Sequence, residues 1–344
     1  MTNEPTKTTI YDVAEQAGVS LKTVSRVINR ESSVREKTRD KVLAAMQELQ
    51  YQPSQSARSL AGRKSFLLGL VYSNPSDSYI IRAQHGALQA CHERDFGLLI
   101  LPCDHQQKEL ADELIRQIRQ ARLDGIVLTP PLTEDSDLRK ALERENIAFA
   151  CVAPRVIDNS VSVGCDDQQA AEAVCEYLIK RGHRRIAHIG GHCDHSASEL
   201  RRTGYNNALQ RHGIKPQPHW IETGDFEFSA AKAATQKLLQ QTPYPSAIFA
   251  ASDDMACAAL VAIHERGLRV PQDISVVGFD DSPLAQQTWP ALTTVQQPVE
   301  DMVELAVAGL IDKLSEASLT AKAQPPSVLN CVLIERDSVA DYSA

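Results

Sequence analysis

With 344 residues, the chain is too long for one small domain and suits a small module joined to a large two-lobed one. A formal charge of −8 excludes an all-over positive surface, yet residues 1–64 carry 11 Lys/Arg against 7 Asp/Glu, so a basic head on an acidic body concentrates attraction for phosphate at one end. MTNEPTKTT has no apolar h-region and no later apolar run approaches bilayer length, so neither a secretory leader nor a membrane span is expected. The stretch from Thr8 to Leu49 reads as helix, tight turn, helix, loop, helix. Ile10, Val13, Ala14 and Ala17 share one face at helical spacing. Gly18 offers the positive φ of a short turn, Val19 packs inward, and Ser20 can cap the next helix. From Leu21 to Asn29, Val24, Val27 and Ile28 form the buried stripe, while Lys22, Ser25, Arg26 and Asn29 lie on the other face. That face has two cations, two small hydrogen-bonding side chains and no carboxylate. It suits a major groove, where Arg and Lys reach guanine acceptors while Ser, Thr and Asn fix register on phosphates. A small helical subdomain with an ordinary solvated face is the plainer reading of the same residues.

Pro53 ends the third helix, because it disfavours helical geometry at Gln52. In SQSARSLAGRKS, residues 54–65, Ser54 can cap a short helix and Gly62 can end it. One exposed Leu beside Arg cannot build a core, so this helix is marginal in isolation. A Leu flanked by cations suits a minor groove, where an apolar wedge unstacks a base step. With these two segments in order, the chain resembles the LacI/GalR family of transcriptional repressors. The likeness is carried by Y-D-V-A at 11–14, A-G-V-S at 17–20, T-V-S-R-V-I-N at 23–29, Y-x-P-S at 51–54 and A-R-S-L-A-G at 57–62, and it runs from about 8 to about 338. It implies a DNA-binding regulator whose second helix chooses the operator through Leu21, Lys22 and Arg26. Thr9, Tyr11, Thr23, Ser25, Asn29 and Thr38 complete the implied contact set in the head. Arg58 and Leu60 belong to the implied hinge helix, with Leu60 wedged at the operator centre. The resemblance also implies a homodimer on a near-palindromic double-stranded operator and a small-molecule effector. Release by a sugar is the favoured expectation; a nucleobase or phosphoprotein corepressor is the alternative.

From Ser65 onward, short apolar runs alternate with helical ones. Strands are read at 66–73, 96–104, 125–131 and 147–154, with helices at 78–94, 107–121 and 134–145 between them. Near-continuous apolar strands separated by helices predict a parallel sheet buried on both faces. The pattern restarts with a strand at 162–166. It continues through helices at 168–181, 197–212, 229–241 and 253–266 and strands at 185–191, 219–224, 246–252 and 274–280. Two such runs suggest two α/β lobes facing each other across a cleft. The tail adds 292–298, a helix from about Val299 to Ser315 and a strand near 328–335, and most simply returns to both lobes. The family likeness makes this core similar to periplasmic sugar-binding proteins. It divides the chain into a helix-turn-helix domain at 8–53, a hinge at 54–64 and a two-lobed effector and dimerisation domain at 65–338. The first lobe is expected at about 65–161 and 293–324, the second at about 162–292 and 325–338. No terminal leucine heptad follows, so dimers rather than tetramers are expected.

Sheets of this kind bind ligands outside the carboxyl ends of their strands. The polar or aromatic candidates there are Tyr79, Thr129, Asp166, Arg201, Phe226, Ser252 and Asp280. Sugars need this mixture, since carboxylates and Arg hydrogen-bond hydroxyls while an aromatic ring covers an apolar face. Plainer readings stand beside them. Asp253 can be a helix N-terminal carboxylate, Asp281 a turn residue, Tyr79 and Phe226 core aromatics, and one of Arg201 and Arg202 a surface charge. The resemblance favours Arg201, which matches the arginine of an R-x-x-G-[FYW] motif, and Asp280, which matches the aspartate of G-[FY]-D. Tyr79, Thr129, Asp166, Phe226 and Ser252 match pocket positions that vary between branches. Ser252 departs from the Asn of lactose-type members, which leaves the sugar open. His192, Cys193 and His195 in GGHCDHSAS look like metal ligands, but are read as lining or edging the pocket, with no metal or cofactor expected. The eight cysteines form no C-x-x-C pair and are read as reduced thiols of a cytoplasmic protein. No G-x-S-x-G, H-E-x-x-H, P-loop or G-x-G-x-x-G is present, so no enzyme is expected. A sugar-binding transport receptor would fit residues 65–344 but leaves the head without a purpose.

Overall fold

The computed structural model describes residues 8–28, 33–51, 64–156, 161–316 and 327–342. The chain forms a small unit that ends at Leu67 and includes Arg122–Asp124, and a large unit that starts at Leu68. Among the described residues no helix is long and apolar enough to cross a membrane.

In the small unit, α1 (Ile10–Ala17), α2 (Leu21–Ile28) and α3 (Glu36–Glu48) close on Val13, Ala14, Val24, Val27, Val42, Ala45 and Tyr51. Each helix gives this core only two fully buried side chains, so the caps between helices matter. Gly18 has φ 64° and its N–H donates to the Glu15 carbonyl at 3.1 Å. A Cβ there would meet nothing within 4 Å, so backbone conformation rather than space selects glycine. Ser20 Oγ accepts the Thr23 N–H at 3.2 Å and starts α2.

The large unit begins with β1 (Leu67–Tyr72, its first residue counted in the small unit), α4 (Asp77–Glu93), β2 (Gly97–Pro102), α5 (Leu110–Ala121), β3 (Gly125–Leu128), α6 (Ser136–Arg144), β4 (Ala148–Val152) and β5 (Val161–Cys165). It continues through α7 (Asp167–Lys180), β6 (Ile186–Gly190), α8 (Ser196–Arg211), β7 (Ile221–Thr223), α9 (Phe228–Leu238), β8 (Ala247–Ala250), α10 (Asp253–Glu265) and β9 (Ser275–Val277). Then come α11 (Pro283–Gln287), β10 (Thr294–Gln296), α12 (Val299–Glu316), β11 (Ser327–Leu329) and β12 (Val332–Ile334). The first sheet has the order β11-β5-β4-β3-β1-β2, with parallel pairing from β11 through β1. Leu68, Leu70, Val127, Ala150 and Val152 pack with Ala83, Ala87 and Ala90 of α4 and with Val303, Ala306 and Leu310 of α12. The second sheet, β7-β6-β8-β9, is parallel. Its successive residues feed opposite cores: Ala187, Ile189, Ile248 and Ala250 one, Ile186, Ala247 and Phe249 the other. Burial on both faces is why these strands are apolar without alternation.

The strand at 161–165 does not open the second lobe, as the restart of the pattern suggests. It is the fifth strand of the first sheet, with Val163 opposite Val152 and Ser327 opposite Val163. The strand at 327–329 likewise lies in the first lobe, while β12 pairs antiparallel with β10, Leu333 opposite Val295. Periodicity reports that a strand is buried, not which sheet receives it. Among the described residues the chain passes between lobes near 165–167, 296–299 and 329–332.

Candidate functional site

On the head, Val24 and Val27 of α2 face the core, which turns Leu21, Lys22 and Arg26 outward, with Thr23 and Ser25 half-buried. Tyr11 of α1 is 67% exposed and Thr38 in the first turn of α3 is half-buried. Thr9 is committed within the head. Its N–H and Oγ both donate to Asp12 Oδ2, at 2.7 and 2.8 Å, and these bonds hold the Asp12 carboxyl below its ordinary range. Asn29, Arg58 and Leu60 lie outside the described residues.

In the large unit, Tyr79, Arg201, Phe226, Ser252 and Asp280 come together around one pocket, with Asn74, Ser76, Pro130, Ala153, His195, Ala197 and Gln297. Its free volume is about 40 Å³, and side-chain bonds join the lobes around it. Ser76 Oγ donates to Asp254 Oδ2 at 2.9 Å, and Arg155 meets Glu199 at 2.8 Å. Arg82 of α4 donates through Nη1 to the Asp280 carbonyl at 2.7 Å and through Nη2 to the Gln297 carbonyl.

Arg201 is the anchor of the second-lobe wall. It is 3% exposed; Nε and Nη2 reach Asp167 Oδ1 at 2.8 and 2.7 Å, and Nη1 donates to the Ala251 carbonyl at 2.6 Å. Its guanidinium lies 3.6 Å from the Phe279 ring centre and 3.8 Å from Asp280 Oδ1. Burial drives the Asp280 carboxyl upward from its ordinary range, more than Arg201 lowers it. Ser252 Oγ accepts the Met255 N–H at 3.2 Å and caps α10. Phe226 closes over Gly191, where a Cβ would stand 2.0 Å from the ring. The Tyr79 hydroxyl is buried and finds no hydrogen-bond partner among the described residues. An unsatisfied buried hydroxyl costs about 1–3 kcal/mol, which a ligand oxygen or nitrogen would recover.

Two candidates are placed elsewhere. Thr129 is fully buried and its hydroxyl donates to the Val71 carbonyl at 3.2 Å. Asp166 Oδ1 accepts the Cys331 N–H at 2.6 Å, which ties the last crossing to the start of α7. Neither is among the residues that line this pocket. Asp281 pairs with Arg336 at 2.6 Å, and Asp253 accepts the Ser282 N–H at 2.7 Å, so both hold the loop behind Asp280.

The acid that matters to Arg201 is Asp167, which the sequence reading passed over. A signal for it exists: Asp167, Ala170, Ala171 and Val174 fall on one buried stripe of α7, as do Arg201, Gly204, Tyr205 and Ala208 on α8. Opposite charges in the apolar stripes of two neighbouring helices are expected to pair.

Beside this pocket a wider cleft of about 600 Å³ is lined by Tyr72, Ser73, Asp104, His105, Gln106, His192 and His195. His195 stands at the N-cap position of α8 without a side-chain capping bond and sets its ring edge-on to Phe226 at 5.2 Å; burial pushes its imidazole down to about 4.

The regions match known families. Residues 9–54 match the model of bacterial regulatory proteins of the lacI family, and residues 175–339 match a periplasmic binding protein-like domain. The HTH-type transcriptional repressor PurR of Erwinia tasmaniensis is 35% identical over 97% of either chain. The ribose operon repressor of Escherichia coli is 33% identical over 96% of this chain and 99% of its own. Among solved structures, a transcriptional regulator CelR–cellobiose complex aligns with TM-score 0.74 at 31% identity, covering 96% of this chain and 99% of that one. A lac repressor dimer bound to operator and the anti-inducer ONPF aligns with TM-score 0.75 at 29% identity, covering 97% and 99%.

Proposed function

This chain belongs to the LacI family of bacterial regulatory proteins, and from that premise we propose a homodimeric repressor of carbohydrate-utilisation genes that a small sugar releases from its operator. DNA binding and repression rest on the family. The sugar and the direction of its effect are the proposal. In this reading residues 8–53 are the DNA-binding head, 54–64 the hinge and 65–338 the effector domain, with 161–165 and 327–329 counted in its first lobe.

The observation that carries the ligand reading is the unpartnered Tyr79 hydroxyl in a pocket that Arg201, Phe226, Ser252 and Asp280 also line. Carboxylate, guanidinium and hydroxyl groups around an aromatic face match a polyol better than an apolar metabolite. Two of the similar proteins are named for ribose and cellobiose, which supports a carbohydrate. A thermal-shift panel of sugars and nucleobases tests it. One sugar should raise the melting midpoint of the protein and weaken its operator complex in a mobility-shift titration, and Tyr79→Phe should reduce that sugar's affinity about tenfold. A shift from a nucleobase alone, with a tightened operator complex, would replace induction by corepression.

The dimer has a candidate face. Ile81 and Leu88 of α4 and Leu305 of α12 are large apolar side chains left exposed on the first lobe. Sedimentation at micromolar concentration should give dimers, and Leu88→Lys should shift the population toward monomers. A stable monomer before mutation would remove the two-headed binding mode.

A further inference from the structure

We propose that His105, His192, Cys193 and Asp194 form a site for a divalent transition ion that joins the two lobes at the mouth of the cleft. His192, Cys193 and Asp194 follow β6 in the second lobe, and each offers one ligand atom, all within 4.8 Å of one another. His105 reaches them from the first lobe, after β2. Its Nε2 lies 3.5 Å from Asp194 Oδ2, and His192 Nδ1 lies 3.4 Å from that same oxygen. Cys193 Sγ is 3.6 Å from Asp194 Oδ1. Two ligand atoms at about 2.0–2.1 Å from a tetrahedral ion stand roughly 3.4 Å apart. The His105–Asp194 and His192–Asp194 spacings already fit, while His105 has to close on Cys193 and His192 Nδ1 has to exchange the Asp194 N–H, which it accepts at 3.3 Å, for the ion.

A second observation points to a ligand. His105 Nε2 is buried and makes no hydrogen bond among the described residues. The other ring nitrogen, Nδ1, is 3.0 Å from Ser73 Oγ, which also accepts the His105 backbone N–H at 3.2 Å. An outer partner on one imidazole nitrogen fixes ring orientation and directs the other nitrogen at the ion. Two imidazoles, a thiol and a single carboxylate are a borderline-soft donor set. They suit Zn²⁺ or Co²⁺ and not Ca²⁺ or Mg²⁺, which take oxygen ligands. On binding, the Cys193 thiol gives its proton to solvent and ligates as thiolate. The site opens on the 600 Å³ cleft, so the ion has a way in. Because one ligand comes from the opposite lobe, an ion here holds the lobes together independently of whatever fills the pocket behind it.

The test uses the full chain, stripped with chelator and titrated with Co²⁺ and then Zn²⁺ alone. The expected result is one saturable equivalent per chain, with tetrahedral d–d absorption and a thiolate-to-cobalt charge-transfer band that Zn²⁺ abolishes by competition. Cys193→Ser should remove the charge-transfer band. His105→Ala and Asp194→Asn should each weaken binding at least ~10-fold. Asp194 and Cys193 are at the surface, so their variants report on the site even if His105→Ala perturbs its lobe. Absence of a saturable equivalent overturns the proposal. So does unchanged affinity in a folded His105→Ala variant, which would place any ion on the second-lobe loop alone. Neither result touches the repressor reading, which operator binding tests separately.

Discussion

Arg201→Ala should lower the melting midpoint by about 6 °C or more, an effect on stability before any effect on ligand. The guanidinium satisfies Asp167 twice, the Ala251 carbonyl once, and stands near Asp280, all away from water. Removing one partner of a buried pair costs about 3–5 kcal/mol, because the remaining charge is left in low dielectric. Asp280 can answer the loss by binding a proton, since burial already drives it that way. Asp167, 4% exposed and directly paired, carries most of the penalty. The cost should therefore shrink when Asp167→Leu is combined with Arg201→Met, which replaces the pair by apolar volume. Differential scanning calorimetry of the two single variants and the double variant measures this. Equal midpoints for wild type and Arg201→Ala would mean that the guanidinium serves the ligand alone.

Arg26→Ala should weaken operator binding about 5- to 150-fold, or about 1–3 kcal/mol, and relax preference at one base pair of each half-site. Arg26 stands on the face of α2 opposite Val24 and Val27, so the three-helix core should survive the change. An Arg that reads a base edge affects one sequence position, whereas an Arg on phosphate weakens all sequences alike. Selection from a randomised half-site library separates the two. A uniform loss across every sequence would assign Arg26 to the backbone and leave base choice to Leu21 and Lys22.

The head was legible because its information is local. Val13, Ala14, Val24 and Val27 fall at helical spacing, and Gly18 and Ser20 punctuate them at the turn. The two runs of βα units were legible for the same reason. What periodicity missed was non-local. The strand at 161–165 looks the same whichever sheet it joins, and only its pairing with β4 and β11 decides. Thr129 and Asp166 sit at strand ends, as pocket residues do, but the Thr129 hydroxyl bonds to the Val71 carbonyl and one Asp166 oxygen to the Cys331 N–H, and neither lines the inner pocket. Asp167 was readable from its place in the α7 stripe, had burial been weighed against the neighbouring acid.

The tightness of the inner pocket has a kinetic consequence. About 40 Å³ has room for no more than a few water molecules, so nothing of sugar size fits beside Tyr79 until the walls part. Arg82, Ser76 and Arg155 each have to release a partner for that to happen. Ligand capture should then be gated: its observed rate climbs with concentration and levels off at the speed of opening, well below encounter by diffusion. Once inside, the guest is shut in, so its residence time, and with it the duration of the response, is set by the same gate.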